Sequence, residues 1–223
     1  MLLLLPALVL AAEPYEFTFP ASEKALDLTA SKGTLKLSTG GSAITIRGTH
    51  EGDQTMCKLQ TSTDGGAVAR YEENGNSSVA RDCITNMEIT VPAGTGVHVT
   101  MGQGTLDVQL DGSLQGNIAT GDVKGKVTGA VNLVVGQGNV VLGGMTAPAE
   151  VKVSSGNAAM VFGKAPEGTV LVTVAMGNVF LDFPDGTELD ARVPSGVQIP
   201  FPQKTSATTK LMIGRTQGEV VIE

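Results

Sequence analysis

Tryptophan is absent from this 223-residue chain, and all aromatics together make up 4%. A carbohydrate site that sets paired acids beside aromatic rings therefore has one place to form, at Asp182 between Phe180 and Phe183. Histidine occurs twice, at His50 and His98, and cysteine twice, at Cys57 and Cys83. No His stands at a ligand spacing from a Cys, so the sequence predicts no bound metal. Basic residues are in deficit, 15 Lys and Arg against 22 Asp and Glu, for a formal charge of −7. A nucleic-acid binder needs a basic stripe to neutralise phosphate, so that class is excluded. After Ala12 no apolar run reaches 18 residues, so no transmembrane segment is expected in the mature chain.

Glycine, by contrast, is plentiful, 29 residues without a three-residue period, which excludes collagen. The apolar share of 41% excludes a disordered chain. Met1 to Ala12 is a near-continuous apolar run, too short for a bilayer helix. It reads as the apolar part of a secretory signal with Ala11 and Ala12 for cleavage, although no Lys or Arg precedes it. In an exported chain two cysteines predict a Cys57–Cys83 disulfide, which would stabilise by about 3 to 4 kcal/mol.

An internal repeat carries the architecture. Segments of one shape recur, such as VHVTMGQGTLDV, VNLVVGQGNVVL and VTVAMGNVFLDF, and each aligns on a glycine. The register glycines are Gly33, Gly104, Gly121, Gly138, Gly156, Gly177 and Gly218. Two residues after them stand Leu35, Leu106, Val123, Val140, Ala158, Val179 and Val220, all apolar. Before the glycine the apolar residues fall at odd offsets, and after it at even ones. Alternation on each side predicts strands with one buried face. The change of parity requires a corner or bulge at the glycine. Repeats of strand, corner, strand and turn predict a β-solenoid of coils about 17 to 22 residues long. An antiparallel β-sandwich of hairpins is the alternative. Gly196 is read as a degenerate coil between Gly177 and Gly218.

The residue after the glycine reads Thr34, Thr105, Asp122, Asn139, Asn157, Asn178 and Glu219. Stacked Asn side chains predict an amide ladder, and Asn also suits a turn. Residues 1–12 are taken as the signal, 13–25 as a cap or linker, and 26–223 as one solenoid domain. Residues 43–91 break the repeat and read as a disulfide-stapled excursion of longer strands or a hairpin.

The run ITNMEITVPAG, followed by VHVTMGQGTLDV and repeated G-x-V units, resembles the bacterial "putative adhesin" domain family of autotransporter-adhesin-like, head-GIN-like proteins. The resemblance extends from about Leu26 to Glu223. It implies a right-handed β-helix-like fold on an exported or envelope-associated protein, in the periplasm or at the cell surface. The family offers no catalytic residues to carry over.

Chemistry in the sequence is sparse. Gly102-Gln103-Gly104 lacks the third glycine and following helix of a dinucleotide site. Asp107 and Asp122 lie one coil apart, and Asp182, Asp185, Glu188 and Asp190 cluster, but Lys124 falls opposite Asp107 and predicts a surface ion pair. No enzymatic activity and no cofactor are expected. The outward position three after the glycine runs Lys36, Asp107, Lys124, then Val141, Ala159, Phe180 and Val221. That switch predicts an apolar stripe, either covered by the segment from Gly196 to Lys210 or open to a partner. Val220 and Ile222 face the core of an open last coil and predict self-association there. The expected role is an exported, non-enzymatic interaction domain whose partner is an envelope protein or a glycan. The alternatives are a carbohydrate-binding or carbohydrate-cleaving β-helix and an envelope-stress signalling partner.

Overall fold

The computed structural model describes residues 13–20, 25–51, 57–62, 67–73, 84–214 and 217–223. The expected signal segment and Cys83 lie outside them. The described residues contain strands and no helix. In chain order the strands are β1 (Glu13–Phe19), β2 (Ala25–Thr39), β3 (Ile44–Glu51), β4 (Cys57–Ser62), β5 (Ala67–Glu73) and β6 (Ile84–Val91). Then follow β7 (Gly96–Leu110), β8 (Leu114–Val127), β9 (Val131–Gln137), β10 (Val140–Met145), β11 (Ala149–Ser155) and β12 (Ala158–Phe162). The last are β13 (Gly168–Met176), β14 (Val179–Asp182), β15 (Leu189–Arg192), β16 (Thr209–Ile213) and β17 (Val220–Ile222). All belong to one mixed sheet, and no helix among the described residues is long and apolar enough to cross a membrane.

The sheet folds into two layers because the chain turns at each register glycine. The leading layer, formed before the glycine, runs β4–β5–β2–β7–β8–β9–β11–β13–β16–β15. The trailing layer runs β1–β3–β6–β2–β7–β8–β10–β12–β14–β17. From β7 onward the pairings are parallel, coil upon coil. The antiparallel pairs, β1–β3, β3–β6 and β4–β5, lie toward the N-terminal end. Residues 13–19, part of the expected cap or linker, pair with β3 of the excursion.

The core follows the predicted parity. Leu26, Leu28 and Ala30 are buried before Gly33, and Leu35 and Leu37 after it. Val131, Leu133 and Val135 are buried before Gly138, and Val140 and Leu142 after it. The six register glycines from Gly33 to Gly177 have φ between +136° and +151° apart from their neighbours' ordinary values, so each sits where L side chains are rarely found. Stacking supplies the second constraint. A Cβ on Gly121 would fall on the carbonyl oxygen of Gly104, and one on Gly138 would fall on that of Gly121. The same conflict recurs at Gly104, Gly156, Gly177 and Gly218, each against the preceding glycine. Thr85 pairs with Gly33 at the start of the column, and its own φ is not positive.

The predicted coil at Gly196 is not present. Gly218 stacks directly on Gly177, and β14 pairs with β17. β16 lies directly on β13, and β15 lies beyond β16. Spacing along the sequence reports the length of a rung, and here a later strand takes the place that the spacing assigns to an earlier one.

Gly121→Ala is expected to destabilise the fold by about 2 to 4 kcal/mol, from backbone strain together with the lost carbonyl contact. Gly186→Ala, where φ is +78° and the Cβ meets nothing within 4 Å, should cost about 1 to 2 kcal/mol. Urea unfolding of the two variants checks the difference.

Candidate functional site

The trailing layer presents two outward files of interest, because alternate residues of each strand point away from the core. The first file contains the amides. Asn139 Nδ2 donates to Asp122 Oδ1 at 3.0 Å, and Asn157 Nδ2 to Asn139 Oδ1 at 2.9 Å. Backbone N–H groups follow the same path, Asn178 to Asn157 Oδ1 at 3.0 Å and Glu219 to Asn178 Oδ1 at 2.9 Å. The predicted ladder is therefore formed: Asp122 Oδ1 and Asn139 Oδ1 each accept from both the main chain and the side chain of the next coil, and Asn157 Oδ1 and Asn178 Oδ1 accept from its main chain. The acceptor role of Asp122 ties that carboxylate into the ladder.

The second file is the candidate surface. Register pairing stacks Glu16, Arg47, Glu88, Lys36, Asp107 and Lys124 in that spatial order, alternating in sign at every step. Arg47 Nη2 donates to Glu16 Oε1 at 2.9 Å, Lys36 Nζ lies 3.1 Å from Glu88 Oε1, and Lys124 Nζ lies 3.8 Å from Asp107 Oδ2. The hydrogen bond to Glu16, with the charge of that carboxylate, raises the Arg47 guanidinium pKa above its ordinary value. A groove of about 480 Å³ opens over this half, lined by residues including Thr34, Lys36, Arg47, Asn86 and Glu88.

One coil beyond Lys124 the same file becomes apolar. Val141 pairs with Lys124, Ala159 with Val141, Phe180 with Ala159 and Val221 with Phe180. Val141 is 52% exposed, while Ala159, Phe180 and Val221 are half-buried. Val161, 40% exposed, widens the strip. The segment from Gly196 to Lys210 does not use its aromatic ring to cover Val141. Phe201 instead stands edge-on to Phe183, with ring centroids 5.9 Å apart, and Phe183 stacks on Phe162 at 4.7 Å.

The other two predicted contact residues face inward. Ile222 is 5% exposed and Val220 half-buried, with the loop from Pro194 to Gln198 across a cavity of about 680 Å³ from β17. Among the described residues β17 has one strand partner, β14, and the Pro194–Gln198 loop faces it across that cavity. Cys57 begins β4, and its predicted partner Cys83 is outside the described residues.

Several of the candidate carboxylates are engaged elsewhere. Asp107 faces Lys124, and Asp122 accepts from Asn139. Phe183 is 3% exposed in the core, so Asp182 does not stand between two accessible rings. Glu188 pairs with Lys204 at 3.0 Å. Among the described residues no group of three or more His, Cys, Asp or Glu is placed to hold a metal.

No family model matches this sequence, and no curated protein matches it. Solved structures do. Over 95% of its length the chain is similar to the whole of a "putative cell adhesion protein" from Clostridium sporogenes, at 11% identity and a TM-score of 0.40. It is similar over 95% to a "putative adhesin" from Bacteroides fragilis, covering 97% of that chain at 12% identity and a TM-score of 0.43. A "putative lipid binding protein" from Parabacteroides distasonis matches over 96% of this chain and 98% of its own, at 7% and 0.39. These likenesses span the chain, and at such identities they transfer no residue role to it.

Lys36→Glu places three acids in succession, since its register neighbours are Glu88 and Asp107. Like charges directly opposite on a sheet destabilise it, and salt screens them. The variant should unfold at lower urea than the parent in dilute buffer, with the gap narrowing in molar salt.

Proposed function

We propose that this chain is an exported, non-enzymatic, adhesin-like domain of the bacterial cell envelope that works by presenting the trailing layer to a partner. The observation that carries the reading is the second file, where four stacked apolar residues continue a row of alternating charge. The core is already complete beneath them in Val140, Leu142, Met160 and Leu181. Outward Val141 and Phe180 are therefore not required to close the fold, and an apolar strip beside fixed charges suits a macromolecular surface.

In this reading residues 1–12 are a cleaved secretory signal, 13–25 a cap, and 26–223 one right-handed β-solenoid domain. A Cys57–Cys83 disulfide staples the excursion at 43–91. The partner is an envelope protein or a glycan that lies along Val141, Ala159, Phe180 and Val221. Val220 and Ile222 belong to the coil through which the chain self-associates.

Retention of labelled protein on isolated envelope fractions tests the central claim. Val141→Asp and Phe180→Asp should each lower retention at least tenfold, with the urea midpoint little changed. Protease or glycosidase treatment of the fraction then tells a protein partner from a glycan. Equal retention of parent and variants would sink the reading. For the disulfide, a thiol reagent should label neither Cys57 nor Cys83 in the exported, denatured protein until a reductant is added. Labelling of both without reductant overturns it.

A further inference from the structure

The order of strands at the far end of the leading layer is β13, β16, β15, although β15 comes first in the chain. Both pairings are parallel and share one register. Gly168 pairs with Thr209 and Thr209 with Leu189, while Val170 pairs with Leu211 and Leu211 with Ala191. Leu189 follows Gly168 by 21 residues, the same step that separates Gly177 from Gly156. By spacing, β15 is therefore the next rung after β13. Instead it is held one rung out, and β16 fills the gap.

The outer strand is fixed by its own contacts. Leu189 N–H donates to Pro202 O at 3.0 Å, and Lys204 N–H donates to Leu189 O at 2.9 Å. Lys204 Nζ also lies 3.0 Å from Glu188 Oε2. After Lys204 the chain makes a turn, with Ala207 N–H donating to Lys204 O at 2.9 Å, and passes from Gln203, bridged to Leu189, to Thr209, which also pairs with Leu189. It then enters as β16, with Leu211 fully buried and Thr209 Oγ1 donating to Pro166 O at 2.8 Å. Beyond β16, Gly218 and β17 stack on Gly177 and β14. Residues 209–213 and 218–222 thus occupy the next rung of the two layers, and the four residues Thr205 to Thr208 lead into them.

We propose that the space between β13 and β15 is a strand-acceptor site, and that a second copy of this chain occupies it by donating its own Thr209–Glu223. The acceptor edges and their register are provided by β13 and β15. The best complement for that site is the sequence already seen in it, with Thr209, Leu211 and Ile213 inward and Val220 and Ile222 following on the trailing layer. Exchange of an identical element makes the same contacts within and between copies, so only the hinge and the concentration set the balance. A short hinge favours exchange. This gives the self-association of the last coil a mechanism, and it does not use the outward strip of Val141 and Phe180.

The test uses the full chain in isotopically light and heavy forms, mixed, concentrated, warmed below the unfolding midpoint and cooled. Native mass spectrometry should show mixed dimers. Deleting Ser206 and Ala207 should raise the dimer fraction several-fold, and adding four Gly or Ser residues to the same turn should lower it several-fold. Dimers indifferent to hinge length, or no dimer even with the short hinge, overturn the proposal. A labelled peptide of residues 208–223 gives a second readout on the unaltered chain. It should incorporate under the same warming and displace the mixed dimer, whereas the peptide carrying Leu211→Asp should not. Equal uptake of both peptides, or of neither, overturns it. Phe180→Asp should swap as the parent does, which separates this failure from failure of the outward strip.

Discussion

When one coil lies in parallel register on another, the backbone carbonyl at the corner of the first occupies the place where the second would carry a Cβ. Gly104, Gly121, Gly138, Gly156 and Gly177 each meet this condition, and each also holds a strongly positive φ. The rest of the molecule follows from that contact. The corner shifts the side-chain parity, so odd positions before the glycine and even positions after it both face inward. It also brings the following residue of every coil to the same height, where Asp122, Asn139, Asn157 and Asn178 extend a chain of hydrogen bonds from rung to rung. A straight strand at any of these points would turn one of the two layers inside out.

The parts visible in the sequence are those in which one environment recurs. Seven glycines stacked in one column, six of them at strongly positive φ, are such a case, and so are the apolar residues around them. The Asp107–Lys124 pair was visible for the same reason, as two occupants of one column. The antiparallel end was not. Glu16, Arg47 and Glu88 continue the charge file with perfect alternation, but they reach it through antiparallel pairing that no repeat spacing records. Thr85 shows the same limit. It opens the glycine column without being glycine, because the Cβ conflict arises only for a residue stacked on an earlier carbonyl. The order of β15 and β16 was hidden too, since both segments carry inward residues at suitable spacing, and periodicity does not say which takes the nearer rung.

The outward file separates what stability needs from what it does not. Charges one rung apart interact, so alternation avoids a repulsive stack, while exposed pairs such as Lys36 and Glu88 add little net stability in water. The apolar half has no such excuse. Phe180 and Val221 shield one another by stacking, yet Val141 keeps half its surface in water at the junction with Lys124. A polar residue at that position would cost the core nothing, because the inward neighbours Val140 and Leu142 are fully formed beneath it. A side chain that folding does not require, next to charges held in fixed register, is where binding selectivity is cheapest to place.

The same repetition that makes the fold legible also makes its rungs similar to one another. A strand with apolar residues at alternate positions fits almost any acceptor of this register, so specificity has to come from the ends. At β16 it comes from Thr209, whose hydroxyl reaches Pro166 O, and from the glycine corner that Gly218 makes on Gly177. β15 lacks both, with Leu189 opposite Thr209 and no glycine seated on the column. That difference explains why the later segment holds the inner rung and the earlier one the outer. It also places the selectivity in the inserted segment itself, and therefore in any copy of the chain that supplies it.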